Sequence, residues 1–184
     1  MVWRCPIYET HEIIMLHFAF PNISHKSAYL DMIREWWEFE VIPTSPSALF
    51  RGQTYEEFLE IMEQNRIANK LWVPATLFFL MDDTTLLWAI QIRHHTHHPN
   101  LSIDGWCGGN IGYGIRPSAR GKWLAKKMLA LWLIEARRLW LDSVIISADD
   151  DNPASWRTIE SCGGKLLKTT TKDDKLLRVY SIKL

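Results

Sequence analysis

The sequence has no charge imbalance, no cysteine framework and no apolar run of membrane length. Its 184 residues carry 21 basic and 21 acidic side chains. That balance removes the global electrostatic argument for a nucleic acid or a membrane surface as partner. Cys5, Cys107 and Cys162 are odd in number and lack paired metal-ligand spacing, which argues against a disulfide scaffold and for a reducing compartment. The longest apolar runs, near 73–81 and 129–134, fall far short of the roughly 20 residues a membrane helix needs. The first residues show no basic-then-apolar leader pattern, so the expected location is cytoplasmic. No repeat, linker or low-complexity tract divides the chain, and a single domain over 1–184 is expected.

What is present is an ordinary globular composition, 47% apolar and 23% charged, and a readable order of elements. A strand-like patch covers 13–18. Asn22 or Ser24 can cap a helix over 26–38, with Tyr29, Met32, Ile33 and Trp36 at helical spacing. Thr54 and Glu57 form a capping box for a helix to about residue 69, with Phe58, Ile61, Met62 and Ile67 on its buried side. From residue 73 the period changes, and 75–81 and 86–93 read as a hairpin turning at Asp82 and Asp83. A strand at 112–116 leads to a helix from Arg120 to about Leu139, burying Ala125, Met128, Leu129, Trp132, Ala136 and Leu139. Residues 143–148, apolar on both faces, read as a central parallel strand. Asp151 or Asn152 caps a further helix, which stops at Gly163 and Gly164. Two strands close the chain. The order implies an α/β fold, a mixed central sheet of about six or seven strands flanked by about four helices.

One stretch is anomalous in charge. Arg116, Arg120, Lys122, Lys126 and Lys127 crowd the start of the long helix with no acidic residue among them. A helix N-terminus already carries about half a positive charge, so five uncompensated cations there suit a bound anion held by free backbone N–H groups. A basic helix face left in solvent is the competing reading.

The chain resembles the GNAT superfamily of N-acetyltransferases over nearly its whole length. The family pattern Arg/Gln-x-x-Gly-x-Gly/Ala falls on Arg120-Gly121-Lys122-Trp123-Leu124-Ala125, preceded by Ile115-Arg116-Pro117. A second block, Asp151-Asn152-Pro153-Ala154-Ser155, leads to Ile159-Glu160 and Gly163-Gly164. Val73-Pro74-Ala75-Thr76 and Ile92-Arg93-His94 resemble a bacterial branch of predicted acetyltransferases.

The resemblance implies acetyl-CoA as co-substrate; no metal is expected, on the spacing of the histidines. Ile115 and its neighbours would pair with the pantetheine amides as an added strand does. The turn Arg120, Gly121, Lys122, Trp123, Leu124, Ala125 would hold the pyrophosphate, with Arg116 among the surrounding cations. Asn152 would bond near the pantetheine arm and Ser155 would lie near the thioester sulfur; helix capping alone also accounts for Asn152.

The chemistry implied is attack of an amine of a small molecule or peptide on the thioester. The family's acid, a tyrosine, would fall at Ile159, and 109–116 offers no glutamate as base. His94, Tyr113 and Ser155 are the candidate catalytic residues, beside His95, Cys162 and water-relayed transfer. Cys162 reads as a packing residue. The run His94, His95, His97, His98 reads as a polar loop at the acceptor pocket, because adjacent histidines on extended chain point apart and do not converge on a metal. A non-catalytic acyl-CoA-binding module is the alternative function. The acceptor stays open, as does oligomeric state, a homodimer included.

Tryptophan is in excess, with ten residues. Trp123 stands where the family pattern has its first glycine, Trp140 where a helix-ending glycine is expected, and Trp88 where the family's third strand has a small residue. Trp106 lies in a glycine-rich loop and Trp72 in a turn. One cause would cover all five: a gene whose code reads UGA as glycine, translated as though UGA meant tryptophan; true tryptophans on a diverged scaffold are the competing reading.

Overall fold

The computed structural model describes residues 4–7, 14–39, 53–67, 73–94, 109–121, 124–172 and 174–184. Their elements run β1 (Arg4–Ile7), β2 (Ile14–Ala19), α1 (Lys26–Glu38), α2 (Tyr55–Asn65), β3 (Ala75–Asp82), β4 (Thr85–Arg93), β5 (Ile111–Ile115), α3 (Leu124–Arg138), β6 (Ser143–Asp149), α4 (Pro153–Ser161), β7 (Lys165–Lys172) and β8 (Lys175–Lys183). The expected α/β order is present with its four helices. The described strands form a five-stranded sheet in the order β1-β2-β3-β4-β5 and a three-stranded sheet in the order β6-β8-β7.

The break between the sheets has a local cause. Gly109 makes a single antiparallel bridge to Ile146 at a φ of +98°, and a Cβ there would stand 2.1 Å from the Ile145 carbonyl oxygen. Asn110 then meets Ile145 twice: its N–H donates to the Ile145 carbonyl at 2.7 Å and its Oδ1 accepts from the Ile145 N–H at 2.9 Å. One residue satisfies both partners, so the ladder stops without leaving a buried polar group unpaired.

The chain forms two compact units, the first being Met1–Ala68, Ala75–Gln91 and Tyr113–Arg120. Its core is aromatic. Tyr29 of α1 stacks on Phe58 at 4.9 Å and on Phe79 at 5.7 Å, and Tyr55 lies 5.1 Å away. Tyr29, Met32 and Trp36 all face inward, as the spacing requires. Asn22 caps a short 3-10 turn, Ile23–His25, that feeds α1. The Thr54 box forms as expected: Thr54 Oγ1 accepts from the Glu57 N–H at 3.2 Å, and Glu57 accepts from the Thr54 N–H at 2.7 Å. Ile67 is a correction. It is 67% exposed, because α2 ends at Asn65 and the helical phase that would bury it is lost.

The second unit is Asn69–Pro74, Ile92–Gly112 and Gly121–Leu184. Met128, Leu129, Trp132 and Ala136 of α3 are buried, while Leu139 is only half-buried. β6 is not the parallel strand expected. It pairs antiparallel with β8, Val144 opposite Ile182 and Ile146 opposite Tyr180. Its burial alternates, Val144, Ile146 and Ala148 inward, so Ile145 is the one residue that made it look apolar on both faces. Among the described residues no helix is long and apolar enough to cross a membrane.

Candidate active site

β5 is the last strand of its sheet. Its outer edge carries the Gly109 bridge at its start and no further strand among the described residues. Its inner pairing ends where the Arg116 N–H donates to the Leu87 carbonyl at 2.9 Å. Pro117–Ala119 then forms a 3-10 turn, with Pro117 at the position that needs no N–H donor. Arg120 is extended, at φ −71° and ψ 157°, so the helix does not begin there. Gly121 follows at φ +74°, a left-handed conformation that favours glycine. Lys122 and Trp123 lie outside the described residues. α3 is described from Leu124, which like Ala125 is half-buried. Its first turn carries no acidic residue, and Lys126 and Lys127 are exposed.

Arg116 is not an uncompensated cation. Its Nε donates to Glu35, and its second guanidinium nitrogen donates to Asp31 at 2.6 Å. Glu35 also accepts the backbone N–H of Ser118 at 2.6 Å. Burial would raise the Glu35 pKa, but the Ser118 N–H and the Arg116 guanidinium outweigh it and hold the carboxyl below its ordinary value. Arg120 differs. It donates to the Ile115 carbonyl at 3.3 Å, its guanidinium lies 5.5 Å from the Trp36 ring, and it has no carboxylate partner among the described residues. Tyr113, half-buried on β5, lies 5.2 Å from the Trp88 ring.

In the second unit, Asn152 caps α4 by accepting the Ser155 N–H at 3.1 Å, so the cap brings these two predicted residues together. Asp150 accepts from Arg178 at 2.6 Å and its carbonyl from the Trp156 indole at 3.2 Å, while Arg178 lies 4.4 Å from the Trp156 ring. That cluster fixes the turn carrying Asn152. Ile159 is fully buried. Burial pushes the Cys162 thiol up, and the net direction stays upward despite Ser161 and Lys126, so it suits packing better than nucleophilic attack. His94 follows β4 directly, half-buried, its N–H donating to the Pro74 carbonyl at 2.8 Å. His95, His97 and His98 lie outside the described residues, among which no group of three potential metal ligands occurs.

Residues 31–165 match the family model described as an acetyltransferase (GNAT) domain. The chain belongs to the GNAT acetyltransferases. Solved structures show the same fold over most of this GNAT chain. The yncA protein of Salmonella typhimurium, solved with its cofactor acetyl-CoA, is 16% identical at a TM-score of 0.62, covering 92% of this chain and 94% of its own. The microcin C7 self-immunity acetyltransferase MccE, in complex with acetyl-CoA and AMP, is 16% identical at 0.65, covering 92% of each chain. RimL, a ribosomal L7/L12 alpha-N-protein acetyltransferase in complex with coenzyme A, is 15% identical at 0.66, covering 92% and 94%. No curated protein matches the sequence.

Sequence reasoning did not single out Asp31, nor Glu35 as the partner of Arg116, nor Asn110. The first two sit on α1 at exposed-looking positions whose partner is 81 or more residues away, and nothing local marks them. Asn110 was detectable only as a buried polar residue, which a sequence does not declare.

Proposed function

We propose that this GNAT protein transfers the acetyl group of acetyl-CoA to a primary amine of a small molecule or peptide by direct attack. The observation that supports it most is the succession of an open-edged β5, the left-handed Gly121 and an acid-free first turn of α3. An extended pantetheine arm can add to the strand edge, and the resemblance assigns the diphosphate to the stretch from Arg120 to Ala125. The acetyl-CoA in related folds supports the same ligand.

In this reading the neutral amine attacks the thioester carbonyl, and an N–H of β5 stabilises the oxyanion. The C–S bond then breaks, the thiolate takes a proton, and the ammonium loses one. His94, Tyr113 and Ser155 are the candidate proton carriers, with water relays beside them. The amine acceptor is tested by thiol release across a panel of small amines and N-terminal peptides. Release that depends on one amine class supports the reading.

Ile159 favours the second reading, a non-catalytic acyl-CoA-binding module. It is aliphatic and fully buried at the place where the resemblance puts the acid. Acetyl-CoA binding with no turnover on any amine supports the module.

A further inference from the structure

We propose that Glu35 is a positioning residue for the diphosphate of acetyl-CoA, acting from α1 through Arg116 and Ser118. The proposal rests on the reading of this region as an acetyl-CoA site. Glu35 uses one oxygen for the Ser118 N–H and the other for Arg116 Nε, while Asp31, one helical turn earlier, takes the far nitrogen of the same guanidinium. Arg116 and Glu35 are only 13% and 12% exposed in their side chains, so this is a shielded pair and not a solvated surface contact. The grip spans the start of the 3-10 turn: Arg116 precedes it and Ser118 is its middle residue.

Two consequences follow for the ligand. Arg116 contributes little free charge to a phosphate, because two carboxylates already face it. Arg120, two residues beyond the gripped Ser118 and resting against Trp36 of the same helix, has no carboxylate partner among the described residues and is available to an anion. α1 therefore sets where Arg120 stands. Loss of the grip would leave the phosphate-facing groups present but unplaced, and reorganisation on binding weakens affinity.

The test uses Glu35→Ala, which removes both contacts, and Glu35→Gln, which keeps an acceptor for the Ser118 N–H but removes the charge. Acetyl-CoA affinity is measured by calorimetry in the chain as written and in a Trp123→Gly background, with hydrogen exchange at the Ser118 amide read without ligand. The expected result is a dissociation constant raised about tenfold in Glu35→Ala and less in Glu35→Gln. Faster Ser118 exchange in Glu35→Ala should accompany it. In turnover, KM for acetyl-CoA should rise while kcat holds, whereas a general fold defect would lower the apparent kcat through the active fraction and leave KM unchanged. Unchanged affinity in both variants, with the parent protein binding, overturns the positioning role alone. No binding by either parent overturns the acetyl-CoA reading and the proposal with it.

Discussion

Trp140 and Gly163 occupy the same place in the same motif. Each is the left-handed residue that ends a helix, Trp140 after α3 at φ +60° and Gly163 after α4 at φ +91°. The Trp140 N–H donates to the Arg137 carbonyl and the Leu141 N–H to Ala136. In the same pattern the Gly163 N–H donates to Glu160 and the Gly164 N–H to Ile159. Both are Schellman ends, which glycine fills without a steric penalty from Cβ. Trp140 has that penalty and gains no packing, its side chain being 93% exposed. Trp140→Gly should therefore stabilise the protein by about 1 kcal/mol, read from urea or thermal unfolding.

The same comparison bears on the gene. The chain has nine glycines and ten tryptophans. Trp88 is buried, and its indole N–H has no acceptor among the described residues; Trp72, Trp106 and Trp123 lie outside them. UGA codons at 72, 88, 106, 123 and 140 are expected. UGG at 123 and 140 would show these to be true tryptophans. Trp123→Gly should tighten acetyl-CoA binding, because a glycine lets the backbone approach a phosphate that an indole crowds. Equal affinity of the two forms by calorimetry would mean that the indole lies off the phosphate path.

Glu35 gives stability a direction in pH. Its folded-state pKa lies below the ordinary 4.5, so its contribution is full above that value and lost as pH falls through the lowered one. The stability gap between the parent protein and Glu35→Gln should be widest above pH 4.5 and close in acid. Chemical denaturation at a series of pH values checks this, and a gap independent of pH would mean that the charge is not what holds the turn.

Asn152 has two roles to separate. Asn152→Ala should cost about 1 kcal/mol through the lost cap, whereas Asn152→Asp keeps an oxygen for the Ser155 N–H and should cost little. If Asn152→Asp nonetheless binds acetyl-CoA more weakly, the side chain also meets the ligand. Wild-type affinity would leave capping as its whole role.

Gly109→Ala should destabilise by about 3 kcal/mol or more. The added Cβ meets the Ile145 carbonyl oxygen at 2.1 Å on a left-handed backbone, and backbone cannot swing aside as a side chain does. Near-normal stability in a denaturant titration would show that the bridge yields.

The local signals were legible and the distant ones were not. The limits of α1, the Thr54 box, the hairpin at Asp83 and the Asn152 cap follow from residues within four positions of one another, and each forms. β6 misled because one residue, Ile145, blurred an alternation that the pairing with β8 restores. The proposed pyrophosphate turn was visible as a charge cluster and as a family pattern, but a string of cations does not show which of them already has partners. Asp31 and Glu35 neutralise Arg116 from another helix, and only folded geometry brings them there.

The side chain of Asn110 ends a ladder that backbone would otherwise continue, and this bears on how the empty protein behaves. Among the described residues no strand covers the outer edge of β5, so its peptide groups can meet an extended chain, and a second molecule of the protein can supply one. Ligand occupancy and colloidal behaviour should thus be linked: acetyl-CoA laid along that edge would act as a solubiliser. Preparations stripped of it should self-associate at concentrations where loaded ones stay dispersed.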